Sequence, residues 1–133
     1  MQKLTAEWVK KAEGDYRVAL VLSRGSEPFH DQICFHCQQC GEKYLKALLQ
    51  ELGLPVPRTH GLVALRNLLL EHHPSLANLR RGLEFLSRFA VGPRYPMFQA
   101  KKRQAVSAVR WANRVREECR TLLGVRSPRG KSN

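Results

Sequence analysis

The chain has 133 residues, a length that suits one domain rather than two. Its apolar fraction of 43% is enough for a hydrophobic core, and 23 Lys and Arg against 11 Asp and Glu give a formal net charge of +12. Such a charge favours an anionic partner (RNA, DNA, a nucleotide or an acidic protein), although like-charge repulsion that keeps a soluble domain monodisperse is the alternative. No apolar run approaches the ~20 residues that span a bilayer, and the N-terminus lacks an apolar signal core, so a cytoplasmic protein is expected.

Helical periodicity recurs along the whole chain, and no segment shows the alternation typical of a strand. Breaks rich in glycine and proline separate five predicted helices, at residues 5–23, 31–52, 62–71, 75–90 and 99–123. This pattern predicts an all-α, five-helix up-and-down bundle with a four-helix core and a short third helix. The domain is expected to span residues 1–123, followed by a basic disordered tail at residues 124–133.

The ends of these helices carry recognisable signals. Side-chain oxygens of Thr5, Asp31 and Ser75 are expected to cap the first, second and fourth helices. Gly53 and Gly124 are expected to end the second and fifth, since glycine readily takes the left-handed conformation found at helix ends.

The second helix is amphipathic. Its polar side chains follow steps of three and four residues, which places them on one face: Gln32, His36, Gln39, Lys43, Lys46 and Gln50. That face is either the solvated side of the helix or a set of imidazole, amide and ammonium donors for a phosphate.

Three of the four cysteines, Cys34, Cys37 and Cys40, lie within this helix near His36. Structural zinc sites generally use two separated pairs of ligands, and Cys119 stands alone. At steps of three residues the thiols drift around the helix by about 60° each and do not converge on one ion. The cysteines are therefore expected to be buried as small apolar residues, with no metal site and no cofactor.

The fifth helix and the tail concentrate the positive charge. Between residues 99 and 122 there are seven basic and two acidic residues, and Arg103, Arg110 and Arg114 lie opposite the apolar face. This surface is either solvated or a sequence-independent binding site for nucleic-acid phosphates, whose affinity would fall steeply with salt.

Three short motifs together resemble the HEPN domain family. Residues 34–49, CFHCQQCGEKYLKALL, resemble the signature second helix of that family. Residues 57–62, PRTHGL, resemble its basic-Thr-His-Asp-Leu turn, and residues 94–96, RYP, resemble its Arg-Tyr-Pro loop. Two departures stand out: Cys37 and Cys40 occupy positions that are usually small residues such as alanine, and Gly61 replaces the aspartate of the turn, so any role of that acid cannot be carried over.

The resemblance implies a helical bundle, often a homodimer and often paired with a minimal nucleotidyltransferase in a toxin–antitoxin-like module. It implies a nucleotide- or RNA-binding module without established catalysis. Its expected nucleotide- or partner-binding residues are Lys43, Lys46, Arg58, His60, Arg94 and Tyr95. Arginine suits bidentate contact with phosphate, and tyrosine suits stacking or a hydroxyl bond. In a purely structural alternative, Arg94 pairs with Glu42 and locks its loop against the second helix.

Some HEPN branches are metal-independent ribonucleases that use an arginine, a following polar residue and a nearby histidine. Arg66, Asn67 and His72 fit that spacing, as do Arg24 and His30 more loosely. In such chemistry the arginine stabilises the phosphate and the histidine moves the 2′-hydroxyl proton. The ribonuclease is therefore an alternative function, and nonspecific nucleic-acid binding by the fifth helix and tail is a second.

Overall fold

The computed structural model describes residues 1–125. Within them the chain forms helices and no strand, as the sequence predicts, and no helix there is long and apolar enough to cross a membrane. The five α-helices are α1 (Lys3–Arg24), α2 (His30–Glu51), α3 (Leu62–Leu69), α4 (Arg80–Ser87) and α5 (Lys102–Leu123). Two short 3-10 segments precede the last two helices, at Pro74–Leu79 and Gly92–Arg94. The predicted tail lies outside the described residues from position 126 onward.

Helix α2 is the centre of the bundle. It packs chiefly against α1 and α5, and also against α3 and α4. Thirteen of its 22 residues are buried, among them the fully enclosed Tyr44 and Leu45. Burying a large apolar side chain completely contributes about 1.5–3 kcal/mol to the free energy of folding. This helix therefore supplies much of the hydrophobic stabilisation of the bundle. A helix fixed on several sides is also a rigid base for the loops that touch it.

The three predicted side-chain caps are wrong. Helices α1 and α2 begin at Lys3 and His30, earlier than expected, so Thr5 and Asp31 lie inside the first turns rather than at the caps. Asp31 instead accepts a hydrogen bond from the backbone N–H of Ala100 at 2.6 Å, which ties the start of α2 to the segment before α5. Ser75 lies in a 3-10 segment that begins at proline, and its hydroxyl donates to Glu118.

Two of the predicted helix ends agree with the structure. Gly53 and Gly124 take left-handed conformations, with φ of 73° and 74°, and end α2 and α5 as expected. The predicted fourth helix is divided, because the 3-10 segment Pro74–Leu79 takes its first half and regular α-helix begins only at Arg80. The fifth begins at Lys102, three residues later than predicted.

Candidate functional site

A buried carboxylate organises the polar side of α2. Glu42 is only 5% exposed, and its Oε2 accepts a hydrogen bond from Lys46 Nζ at 2.9 Å. Its Oε1 accepts from Gln38 Nε2 at 3.1 Å and lies 3.0 Å from Nδ1 of His60. Gln38 also donates to the backbone oxygen of His60 at 3.2 Å. The turn that carries His60 is therefore fastened to α2 at both its side chain and its backbone.

The environment of Glu42 keeps it ionised. Burial alone would raise its pKa, but the hydrogen bonds from Gln38, Lys46 and His60 outweigh burial and hold the pKa below its ordinary value. Lys46 is itself 7% exposed, with its ammonium 5.9 Å from the centre of the Trp8 ring. A buried charge pair of this kind is costly to break, because either partner alone would be an uncompensated charge.

A second carboxylate, from α1, faces the neighbouring polar stripe of α2. Asp15 on α1 accepts a hydrogen bond from Lys43 Nζ at 2.6 Å and lies 2.8 Å from Nδ1 of His36. Burial raises the pKa of Asp15, but the hydrogen bonds from His36 and Lys43 outweigh it and lower that pKa overall. Of the six predicted binding residues, Lys43 and Lys46 are therefore both neutralised by carboxylates, so they present little free charge to a ligand.

The Arg-Tyr-Pro loop docks on the N-terminal half of α2. The guanidinium of Arg94 lies 5.4 Å from the centre of the Phe35 ring, a cation–π contact, while Arg94 and Tyr95 remain exposed. The Arg94–Glu42 pair is not formed: Glu42 is paired with Lys46 and His60 instead. Arg94 reaches an aromatic face because its loop meets α2 two turns before Glu42.

Phe35 and Glu42 are seven residues apart, so they share a face of α2 about 10 Å apart along its axis. The Arg94 loop contacts one end of this segment and the His60 turn contacts the other. Arg58, two residues before His60, is exposed like Arg94, and neither forms an ion pair with any residue among positions 1–125. The structure thus places two exposed arginines on the two loops that contact this segment of α2.

The ribonuclease candidates occupy a different environment. Arg66 is 6% exposed, and its guanidinium donates to the backbone oxygens of Leu76 and Ala77 at 3.1 and 3.4 Å and to Asn67 Oδ1 at 2.8 Å. His72 lies on the surface in the turn after α3. Arg66 therefore holds the 3-10 segment in place, because each of its three guanidinium nitrogens donates a hydrogen bond to the protein.

The prediction that the four cysteines are buried is confirmed. Cys34, Cys37, Cys40 and Cys119 are all buried as free thiols. Burial raises the pKa of each, to about 12 for Cys34, which leaves them protonated and unreactive. No group of three or more residues suited to holding a metal ion occurs within the part of the chain that the structure describes.

One polar cluster has no counterpart among the sequence predictions. Glu13 on α1 accepts two hydrogen bonds from Arg116 of α5, at 2.6 and 3.0 Å, and one from the Tyr44 hydroxyl of α2. Burial raises the pKa of Glu13, but these bonds outweigh it and the pKa falls below its ordinary value. The partners are far apart in sequence, so no local pattern indicates the cluster.

Acid should unfold this bundle through its three enclosed carboxylates. Glu13, Asp15 and Glu42 all have lowered pKa values, so the stability they add is complete above their ordinary values of 3.8–4.5 and is lost as pH falls through the folded values. The free energy of unfolding, measured by urea denaturation, should fall steeply below about pH 4.5. Asp15→Asn should make that fall shallower. An unchanged profile in this variant would show that Asp15 does not contribute.

The motifs, the helix order and this geometry agree with one family, and a sequence model of the HEPN domain matches residues 5–122. The chain belongs to the HEPN family. Among solved structures, an archaeal HEPN homologue is 27% identical, with a TM-score of 0.71 over 92% of this chain and 99% of that one. A protein from Thermus thermophilus is 22% identical, with a TM-score of 0.77 over 90% and 98% of the two chains, and shares the fold. No curated protein matches this HEPN chain significantly.

Proposed function

We propose that this HEPN protein is a nucleotide- or RNA-binding module that holds its ligand without cleaving it. Arg58 and Arg94 contact phosphates, while His60 and Tyr95 add a donor and a ring or hydroxyl contact. Lys43 and Lys46, bound to carboxylates, act mainly by holding α2 and its neighbours in place. RNA is a suitable ligand because unstacked nucleotides offer both phosphates and exposed ring faces.

The observation that carries this proposal is the contrast between the paired and the unpaired cations. Around α2 the lysines are paired with carboxylates, whereas Arg58 and Arg94 are exposed and free of carboxylate partners within the described chain. Both belong to loops that are fastened to the buried helix, Arg94 by its contact with Phe35 and Arg58 through the nearby His60. Such anchoring lowers the entropy lost when a ligand binds.

Alanine at either arginine should weaken RNA binding about fivefold, roughly 1 kcal/mol, because each variant loses one charge-assisted phosphate contact. Fluorescence anisotropy with a labelled single-stranded RNA would measure this, and the slope of log affinity against log salt should decrease by about one for each arginine. Arg80→Ala is the matched control, since Arg80 is exposed but paired with Glu84 at 3.3 Å. Equal losses in all three variants would contradict a specific role for Arg58 and Arg94.

Incubation with RNA in EDTA separates the binding module from the ribonuclease alternative. With Arg66 bonded to backbone oxygens, we expect the purified protein to leave labelled RNA intact in EDTA, and His72→Ala to bind RNA as the wild type does. Denaturing gel electrophoresis measures both the length and the yield of RNA. Cleavage that disappears in His72→Ala while folding is retained would favour the ribonuclease.

A partner is the second part of the proposal. We infer that this protein pairs with a nucleotidyltransferase in a toxin–antitoxin-like module in the cytoplasm, and that it forms a homodimer. Support comes from apolar side chains beside the Arg94 loop, since Val91, Tyr95 and Met97 are 51%, 61% and 95% exposed. Exposed apolar patches often mark protein contacts. Co-purification from the native host, with mass spectrometry of bound protein and nucleotide, tests the partner.

Helix α5 supports a second binding surface. Arg103, Arg110 and Arg114 are exposed along one face, whereas Arg116, on the inner side, is bound to Glu13. No ion pair involves the three exposed arginines in the residues that the structure covers. If nucleic acid binds here nonspecifically, reversing all three charges should flatten the salt dependence of binding, whereas Arg58→Ala and Arg94→Ala should not.

A further inference from the structure

One cavity of the bundle is separate from the HEPN motifs. Its volume is about 650 Å³, within the range of small-molecule sites, and it lies between the end of α1, the following loop, the start of α2 and the first half of α5. Its walls include Ile33, on α2. Residue 33 is about 200° around the helix from Phe35, which supports Arg94. The cavity and the Arg94 loop thus lie on opposite sides of α2.

One part of the cavity lining is aliphatic. Its apolar lining comes from Leu22 of α1, Ile33 of α2 and a row on α5 that includes Val106 and Val109. Val106 is 45% exposed, so this lining includes an apolar side chain that is open to solvent. An exposed aliphatic wall can cover an apolar ligand. Removing the apolar surfaces of both from water contributes favourable free energy to binding.

The charged part of the lining is predominantly basic, and Ser23 and Ser26 add hydroxyl groups. His30, Lys102 and Arg110 line the cavity, with Glu27 as the carboxylate among the lining residues. Lys102 and Arg110 form no ion pair within residues 1–125. His30 and Lys102 are also the first residues of α2 and α5, so the positive ends of two helix dipoles lie beside the same space.

His30 lines the cavity without presenting its Nδ1 atom to it. Its Nδ1 is shielded from solvent and has no hydrogen-bond partner among the described residues. A shielded polar atom without a partner is uncommon, because leaving it unsatisfied costs about 1–3 kcal/mol. Since Nδ1 is out of reach of solvent even while the cavity is open, a ligand there would contact other atoms of the His30 ring.

The geometry points to a binding site for a small amphiphilic anion, with an aliphatic body against Leu22, Ile33 and Val106 and a carboxylate or phosphate head at Lys102 and Arg110. A nucleotide fits this lining less well, since base recognition relies on stacking and the only aromatic ring among the lining residues is the His30 imidazole. The site is independent of RNA binding at Arg58 and Arg94.

Decanoate is a suitable probe, with decanol as its uncharged counterpart, inorganic phosphate as a head group alone and adenosine monophosphate as the nucleotide. Isothermal titration calorimetry should show decanoate binding at one site per chain, at least about tenfold more tightly than any of the other three. Lys102→Ala and Arg110→Ala should each weaken decanoate about fivefold. Arg103→Ala is the control, since Arg103 is exposed on the same helix but does not line the cavity.

Val106→Glu places a carboxylate in the opening and should abolish decanoate binding; the exposure of Val106 makes this change compatible with folding, which circular dichroism would verify. Tighter binding of adenosine monophosphate than of decanoate, equal binding of decanol, or unchanged affinity in Val106→Glu would overturn the assignment. So would an oligomer that Val106→Glu dissociates without any decanoate binding, because a second copy would then cover the cavity.

Discussion

Replacing Glu42 by alanine should lower the free energy of unfolding by about 3–5 kcal/mol. The change leaves the ammonium of Lys46 buried without its carboxylate, and it removes the acceptor of Gln38 and His60. The turn that carries His60 and Arg58 is then held to α2 only by the hydrogen bond from Gln38 to its backbone, so RNA affinity should fall even at temperatures where the bundle remains folded. Urea denaturation followed by circular dichroism measures the stability, and anisotropy measures the affinity.

The bundle supplies a matched control for this change. Arg80 and Glu84 also form an ion pair four residues apart on a helix, but their side chains are 56% and 54% exposed. Glu84→Ala should therefore cost no more than about 0.5 kcal/mol. The double variant Glu42→Leu with Lys46→Met should recover much of the stability lost in Glu42→Ala, since it leaves no unpaired buried charge. Equal losses in Glu42→Ala and Glu84→Ala would mean that burial does not strengthen the pair.

Replacing Gly82 by alanine should destabilise the protein by about 2–4 kcal/mol, although alanine normally favours a helix. A Cβ atom on Gly82 of α4 would lie 2.0 Å from Cε3 and 2.3 Å from Cδ2 of the Trp111 ring on α5. The rigid indole must leave its place, and the contact between α4 and α5 must open. Thermal unfolding and the tryptophan emission spectrum would both report the displacement.

Gly14→Ala should have the opposite effect on stability. Gly14 is an exposed residue inside α1, and no heavy atom lies within 4 Å of the position where its Cβ would stand. The same substitution should therefore stabilise the protein by about 0.5–1 kcal/mol through helix propensity. If Gly82→Ala stabilised the protein as well, the packing of Trp111 against α4 would not depend on the absence of a side chain at position 82.

The sequence predicts the helices well because their signals are local. The apolar stripe of α2 and the apolar face of α5 repeat at helical spacing, and Gly53 and Gly124 mark helix ends by their backbone freedom. The motifs also place His60 and Arg94 correctly on loops that meet α2. Local patterns suffice for such features.

The polar contacts depend on tertiary geometry and are poorly predicted. Lys43 and Lys46 follow the exposed-face periodicity, yet Lys46 is buried, because α1 and the His60 turn cover that side of α2. In the structural alternative Arg94 pairs with Glu42, but its loop meets α2 two turns away, beside Phe35. The Glu13–Arg116 contact joins residues 103 positions apart, and no spacing rule reaches that far.

Amide chemical shifts recorded by two-dimensional NMR during titration with single-stranded RNA give the most direct test of the proposed binding surface. The largest changes should fall on residues 57–61 and 92–97, the loops that carry Arg58 and Arg94, and they should diminish in the Arg58→Ala, Arg94→Ala double variant. Changes confined to α5, or RNA binding that perturbs neither loop, would contradict it.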